Sequence, residues 1–335
     1  MAKAPLLRPR PEGLYCSKGD FFIDPVTPVP RALITHGHAD HARAGHGAVL
    51  ATQRTLDIMA LRYGADFADS TQAAEDAPLN VNGVEVSFHP AGHVLGSAQI
   101  KVSHRGRSVV ATGDYKRHAD ATTEGYEPVR GDILITEATF GLPVFRHPDP
   151  RAEIAKLLTS LRQFPERAHM VGVYALGKAQ RVIRLIRDAG YDAPLFIHGA
   201  LQRLCDYYVS QGIDLGELRP ATEDRAAKAS YAGQIILAPP SAFAAKWAQR
   251  FPDPLIAFAS GWMQVRARAR QRGVELPLVI SDHCDWGELT TTIAELMPEQ
   301  VWVTHGREEA LVRWCKLQGI AAQPLNLVGY EDEAE

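Results

Sequence analysis

Residues 36–41 read His-Gly-His-Ala-Asp-His, three imidazoles and one carboxylate within six positions. His36 and His38 lie two apart, so in an extended segment their rings point the same way and can grip one ion. Asp40 and His41 fall where the chain turns toward a helix and can face a second ion. Imidazole suits Zn, Fe or Mn, and a carboxylate adds the negative charge that favours a divalent cation. The bland alternative is a polar loop whose histidines hold nothing. Against it stands a recurrence: His93 lies in a Gly-containing loop after an apolar–polar alternation, and Asp114, Glu137, His283 and His305 each lie just past an apolar run. In layered α/β proteins such strand ends are where ligand sites collect.

Seven of these side chains, His36, His38, Asp40, His41, His93, Asp114 and His305, make a potential ligand set for two ions. Asp114 is the best candidate for a carboxylate bridging ions ~3.5–4 Å apart. Such a pair lowers the pKa of water held between the ions and clamps the oxygens of a reacting phosphate or carbonyl. The four cysteines, Cys16, Cys205, Cys284 and Cys315, are scattered without a Cys-x-x-Cys pair and are not needed. No nucleophilic serine elbow, Walker loop or dinucleotide fingerprint occurs.

The elements that must position this chemistry follow from periodicity. Residues 31–35 form a short apolar strand behind the His cluster, preceded by a hairpin of residues 14–16 and 21–23. Asp24, before Pro25, is taken as a turn residue only. A helix spans 53–63, with Leu56, Met59 and Ala60 on one face. Alternation at 80–88, a hairpin of 100–102 with 108–111, and an apolar strand at 132–136 follow. Residues 143–150 are proline-rich and form a linker. Beyond it come a helix over 151–162, a strand at 170–174 and a helix with Ala179, Val182, Ile183 and Ile186 on one face, stopped by Gly190. The turn Tyr174-Ala-Leu-Gly177-Lys178 between them is a possible anion site, because free N–H groups point outward at a helix start. Lys178, Arg181, Arg184 and Arg187 climb that helix in three-residue steps, which predicts a solvated face. Arg266, Arg268, Arg270 and Arg272 lie near Trp262, a composition that suits stacking on single-stranded nucleic acid as well as an ordinary surface helix. From 276 the opening pattern returns: strands at 278–280 and 300–303, helices from Trp286 and over 307–318, then an acidic end, 331–335, expected to fray. The expected fold is α/β, one αββα metal domain built from residues 1–145 and 276–335 and interrupted by an inserted α/β domain, 146–275.

Bulk properties set bounds. With 335 residues, 46% hydrophobic and 22% charged, the chain is an ordinary globular protein large enough for two cores. A net charge of −3 gives no global basic signature, so a nucleic-acid partner would need a local positive surface. No secretory leader and no apolar run of membrane-spanning length is present, so a cytoplasmic location without a membrane partner is expected.

These motifs together resemble the metallo-β-lactamase superfamily, and within it the β-CASP nucleases, over residues 14–319. Residues 36–41 match the superfamily's second motif, His93 its third and Asp114 its fourth; Glu137, His283 and His305 match β-CASP motifs A, B and C. The resemblance implies that His36, His38 and His93 hold one metal, Asp40, His41 and His305 the other, and Asp114 bridges them. It implies that Asp40, Glu137 and His283 are catalytic, with Glu137 orienting a ligating imidazole and His283 contacting the phosphate or assisting the leaving oxygen while hydroxide attacks in line. Tyr174, Gly177, Lys178 and Arg181 resemble the phosphate-proximal turn of the inserted domain. The short chain looks most like the bacterial ligase-associated DNA exonucleases, which implies a single-strand-preferring exonuclease in DNA repair, two Zn or Mn ions (Fe also suits the ligands), and a link to an ATP-dependent DNA ligase and a helicase. His305 is the form of motif C common in RNA-processing members, so an RNA-processing β-CASP ribonuclease is the first alternative. A small-molecule hydrolase and a non-catalytic metal-stabilised scaffold that binds nucleic acid are the others.

Overall fold

The apolar runs become strands of three sheets in a computed structural model that describes residues 5–221 and 231–325. The chain divides into two units, Met1–Arg146 with His283–Glu335, and His147–Asp282. The acidic end, 331–335, lies outside the described residues.

The first unit holds two sheets. One runs in chain order, Leu7–Arg10, Gly13–Cys16, Phe21–Ile23, Arg31–Leu33, His46–Ala51 and Ala68–Ala73, antiparallel at first and parallel from Phe21–Ile23 onward. The other has the order Ala321–Pro324, Gln300–Gly306, Ile133–Ala138, Arg107–Ala111, Ala98–His104, Val84–Pro90 and Leu79–Val81, its first four strands parallel. Parallel pairing puts the C-terminal ends of Arg107–Ala111, Ile133–Ala138 and Gln300–Gly306 side by side. Asp114, Glu137 and His305 therefore arrive at one edge from three distant parts of the sequence.

Leu14, Phe21, Leu33 and Leu50 of the first sheet share a buried core with Val86, Ile100, Val109 and Ile135 of the second. Burying ~25 cal/mol of transfer free energy per Å² of such apolar surface is what holds the sheets face to face. On its other side the first sheet packs Ala32, Ile34 and Val49 against Leu56 and Met59 of the helix Gln53–Tyr63. The second sheet packs Leu134, Val301 and Val303 against Leu289, Ile293, Leu311 and Cys315 of the helices Trp286–Leu296 and Glu308–Leu317. Asp285 caps the first of these helices and Glu288 reaches back to the Asp285 N–H, a reciprocal capping box.

The second unit is a parallel sheet, ordered Leu218–Pro220, Leu195–Ile197, Ile235–Ala238, His169–Gly172, Leu255–Ala259 and Leu276–Leu278, with helices Pro150–Gln163, Lys178–Asp188 and Gly199–Ser210. Ile235–Ala238 and His169–Gly172 are buried throughout, as central parallel strands are. Leu276–Leu278 pairs with Leu255–Ala259, so the chain leaves this unit at 282, later than the composition change at 276.

Candidate metal centre

The strand Arg31–Leu33 delivers Ile34, whose N–H still bonds Leu50 O, and the chain then departs into the His cluster. What fixes that departure is Asp24. Its buried carboxylate accepts the Thr35 N–H at 2.7 Å and the Thr35 hydroxyl at 2.6 Å, and meets His41 Nδ1 at 2.8 Å. Asp24 has φ +44°, a left-handed conformation that Asp tolerates better than most residues. Asp24 is therefore more than the turn residue expected from its place before Pro25. Its only sequence signal is an acid directly after an apolar strand, and Pro25 masks that signal.

These contacts decide which ring nitrogen is offered to an ion. Thr35 Oγ1 gives its proton to Asp24, so it accepts from His36 Nδ1 at 3.0 Å. That leaves His36 Nε2 with its lone pair, buried and without a hydrogen-bond partner among the described residues. His41 Nδ1 donates to Asp24 in the same way, which turns Nε2 toward Asp40 and Asp114, each 3.6 Å away. A carboxylate or hydroxyl behind a ligating imidazole fixes its tautomer and ring orientation.

The ligand atoms gather in two groups that share Asp114. His36, His38, His93 and Asp114 each place one ligand atom within 4.8 Å of the others, and so do His41, Asp114 and His305. Within the first, His93 Nε2 is 3.0 Å from His38 Nδ1, and Asp114 Oδ2 is 3.7 Å from His36 Nε2 and 3.8 Å from His93 Nε2. In the second, His305 Nδ1 is 3.6 Å from Asp114 Oδ1. Ligands ~2.0–2.1 Å from a tetrahedral ion stand roughly 3.3–3.4 Å apart, so both groups have the spacing of ligands around an ion. Asp40 adjoins the second group through His41, and its Oδ1 is buried without a hydrogen-bond partner among the described residues. The donor set therefore fits divalent metal ions, and its nitrogen and oxygen ligands suit Zn, Mn or Fe alike.

The electrostatics set His36 and His41 apart. Burial, then His41 and His93, hold His36 well below its ordinary pKa of 6.5, so it is a neutral donor. Burial pulls His41 down, but Asp40, Asp114 and Asp24 outweigh it and lift His41 to about 10, so it holds a proton on Nε2 that an ion taking this nitrogen would displace. Burial alone would raise Asp114; His41, His283, His305 and His36 together keep it well below the carboxylate range, an anion among histidines. The Asp114 charge bears on both groups at once.

Glu137 and His283 form a third arrangement with Asp114. Glu137 Oε1 accepts the Tyr115 N–H at 2.9 Å, while Oε2 meets His283 Nδ1 at 2.9 Å; His283 Nδ1 is 3.9 Å from Asp114 Oδ2. The imidazole that Glu137 orients is thus that of His283, and the carboxylate behind the ligand candidate His41 is Asp24. Lys116, nearly buried, reaches to 3.5 Å from the His283 carbonyl, another partner the sequence did not reveal.

The second unit treats its basic residues differently from expectation. Lys178 is buried and bonds Asp282 Oδ1 at 2.6 Å and Ile280 O at 3.1 Å; Arg181, also buried, bonds Ser281 O at 2.7 Å. Arg184 pairs with Asp188 and Arg187 holds four backbone carbonyls, at 191, 193, 215 and 217. The stepped cations are internal clamps rather than a solvated face. At the turn itself Gly177 N–H bonds Gln180 Oε1 and Tyr174 O accepts from Ala179 N–H, so a phosphate there would compete with partners already in place.

No family model matches the chain. It is 32% identical over 201 residues to the endoribonuclease ysh1 of Aspergillus fumigatus, 57% of this chain and 21% of that protein. It is 34% identical over 135 residues to the cleavage and polyadenylation specificity factor subunit 3 of Dictyostelium discoideum, 37% of this chain and 17% of that protein. The chain is a relative of the β-CASP nucleases of the metallo-β-lactamase superfamily. A bacterial protein aligns over far more of it: a probable DNA ligase of Opitutus terrae, 24% identical over 314 residues, 92% of this chain. The chain spans only 30% of that protein's length and about a fifth of the other two. A solved structure of a protein of unknown function from Enterococcus faecalis V583 superposes with a TM-score of 0.56 at 12% identity, covering 90% of this chain and 80% of that one, which shows the fold alone. Among the described residues no helix is long and apolar enough to cross a membrane.

Proposed function

We propose that this β-CASP relative is a two-metal phosphodiesterase that degrades DNA, a single-strand-preferring exonuclease working in DNA repair beside an ATP-dependent DNA ligase and a helicase. The observation that carries the reading is the convergence of His36, His38, His93, Asp114, His41 and His305 into two ligand groups sharing one carboxylate. The alignment of nearly the whole chain with a protein named as a probable DNA ligase supports DNA as the substrate. The architecture behind it is an αββα sandwich made from residues 1–146 and 283–335, with an inserted β-CASP domain; the core shared by the two sheets and the helices on their outer faces support this.

In the mechanism, His36, His38 and His93 would hold one ion, Asp40, His41 and His305 the other, and Asp114 both. Such an ion pair activates water at neutral pH and neutralises charge on the reacting phosphate. Asp24 and Thr35 engage Nδ1 of His41 and His36, so Nε2 is the nitrogen each would offer an ion. Glu137 holds the His283 Nδ1 proton, so the His283 Nε2 face is the one presented to a phosphate or leaving oxygen. Tyr174, Gly177, Lys178 and Arg181 are assigned to a substrate phosphate by the family resemblance, in competition with the bonds of Lys178 to Asp282 and of Arg181 to Ser281 O.

One observation favours a second reading. Three relatives above 30% identity are named as endoribonucleases or as a cleavage and polyadenylation factor, and His305 takes the motif C form that goes with RNA. A single experiment separates the two: one oligonucleotide sequence, made as DNA and as RNA and labelled at either end, is incubated with Mn or Zn beside Asp40→Ala. A ladder of DNA products with RNA spared supports the exonuclease; preferential RNA cleavage transfers the assignment to RNA processing.

A further inference from the structure

The run Arg266, Arg268, Arg270 and Arg272 takes no part in the ligand groups, and its surroundings lie wholly within the second unit. It builds the short helix Arg266–Gln271, which follows the 3₁₀ turn Gly261–Gln264. At ~100° per residue, arginines two apart alternate faces and those four apart share one. Arg268 and Arg272 accordingly turn to aromatic rings: the Arg268 guanidinium carbon is 3.9 Å from the Trp262 ring centroid, and that of Arg272 is 5.5 Å from the Phe258 centroid. Arg266 and Arg270 share the other face and are exposed. Arg266, Arg270 and Arg272 have no carboxylate partner among the described residues. Like charges four apart oppose a helix, and the helix dipole offsets this only for the arginines of the last turn. Such a concentration of cations, in a chain of net charge −3, favours a polyanion.

We propose that this face of the second unit is a contact surface for single-stranded nucleic acid, with Arg266, Arg270 and Arg272 on backbone phosphates and the Arg268 guanidinium, stacked on Trp262, as a planar platform for a base. The choice of ligand rests on the nuclease reading above; the charge and the flat cation–aromatic pair stand independently of it. Arginine planes and aromatic rings stack bases of any sequence, while flanking cations track the backbone.

The test uses the full chain carrying Asp40→Ala, with chelator present, so that binding is read without cleavage. A fluorescein-labelled oligothymidylate longer than the ~4–16 nucleotides such surfaces span is titrated by anisotropy over a range of salt. Removing two phosphate contacts with Arg266→Ala/Arg270→Ala lowers the slope of log K against log salt by about 1.4, and weakens binding roughly tenfold to a hundredfold at about 50 mM salt. Arg266→Lys/Arg270→Lys restores the slope, and melting temperatures of all variants match the parent. An unchanged slope and affinity in the double alanine variant overturns the proposal. So does binding of phosphatidylserine vesicles as tight as that of the oligonucleotide, since it would make the face a general anionic or membrane contact. Hydrolysis of a small chromogenic phosphodiester by the wild-type chain is measured in parallel; its absence refutes the nuclease reading and leaves the binding result to decide the surface alone.

Discussion

Asp24→Asn is the most informative change this structure offers, because it keeps shape and backbone while reversing one hydrogen. Asn tolerates the φ of +44° that Asp24 adopts, so the turn itself is unstrained by the substitution. Its carbonyl can still accept the Thr35 N–H, now at 2.7 Å from Asp24 Oδ1. The amide then faces Thr35 Oγ1 and His41 Nδ1 and donates where Asp24 Oδ2 accepted at 2.6 and 2.8 Å. His41 must give up the Nδ1 proton and carry it on Nε2, the atom aimed at Asp40 and Asp114. Loss of the carboxylate behind a ligating imidazole lowers metal affinity ~10–100-fold, or about 1.4–2.7 kcal/mol. The group of His36, His38 and His93 keeps its own Thr35 contact only if the hydroxyl still accepts from His36. The loss should therefore fall first on the group of His41 and His305. Isothermal titration of metal-stripped protein with Zn or Mn, read with elemental analysis, checks this: wild type takes up two ions, and Asp24→Asn retains one at near wild-type affinity. Two ions bound by Asp24→Asn with unchanged affinities would refute the tautomer argument.

Other consequences follow from the same contacts. Lys178→Met leaves Asp282 buried without its lysine, both side chains being under a tenth exposed, and should destabilise the chain by ~3–5 kcal/mol; urea unfolding measures it, and an unshifted midpoint would dismiss the clamp. Burial holds His169 below its ordinary pKa of 6.5, with its ring against Ser160 Oγ at 2.9 Å. The unfolded chain protonates that group first as pH falls, so its contribution to stability is complete above about 6.5 and is lost as the pH drops toward the lower folded value. Unfolding midpoints at pH 7.5 and 5.5 should therefore differ more in wild type than in His169→Gln, and identical pH dependences would contradict the assignment. His283→Ala should keep its metal and lose rate, since His283 is held by Glu137; metal loss on elemental analysis would make it a ligand.

The legibility of this site in the sequence has a physical logic. His36, His38, Asp114 and His305 stand out because each follows a short apolar run, and parallel pairing turns such runs into neighbouring strand ends. Helices such as Gln53–Tyr63, Pro150–Gln163 and Glu308–Leu317 are legible from 3.6-residue periodicity and their caps. Strands such as His46–Ala51 and Ala68–Ala73 are not: the first opens on a polar His-Gly pair and the second is mostly exposed and polar, so only their pairing makes them strands. Asp24 is invisible because its role depends on His41, seventeen residues on. The stepped arginines mislead for the same reason. A side chain bonded to carbonyls at 191–217, or to Ser281, looks in sequence like any solvated cation. Nor can composition show that Leu276–Leu278 completes the second unit's sheet, since its partner lies about twenty residues back.

The central claim is that two ion sites sharing Asp114 perform phosphodiester cleavage. Metal-stripped chain is titrated with Mn or Zn while cleavage of a single-stranded oligonucleotide is followed, with Asp40→Ala alongside. No cleavage without metal, activity that saturates at two ions per chain, and none from a folded Asp40→Ala are the predicted results. Full cleavage by the metal-stripped chain, or wild-type turnover by a well-folded Asp40→Ala, would contradict the account.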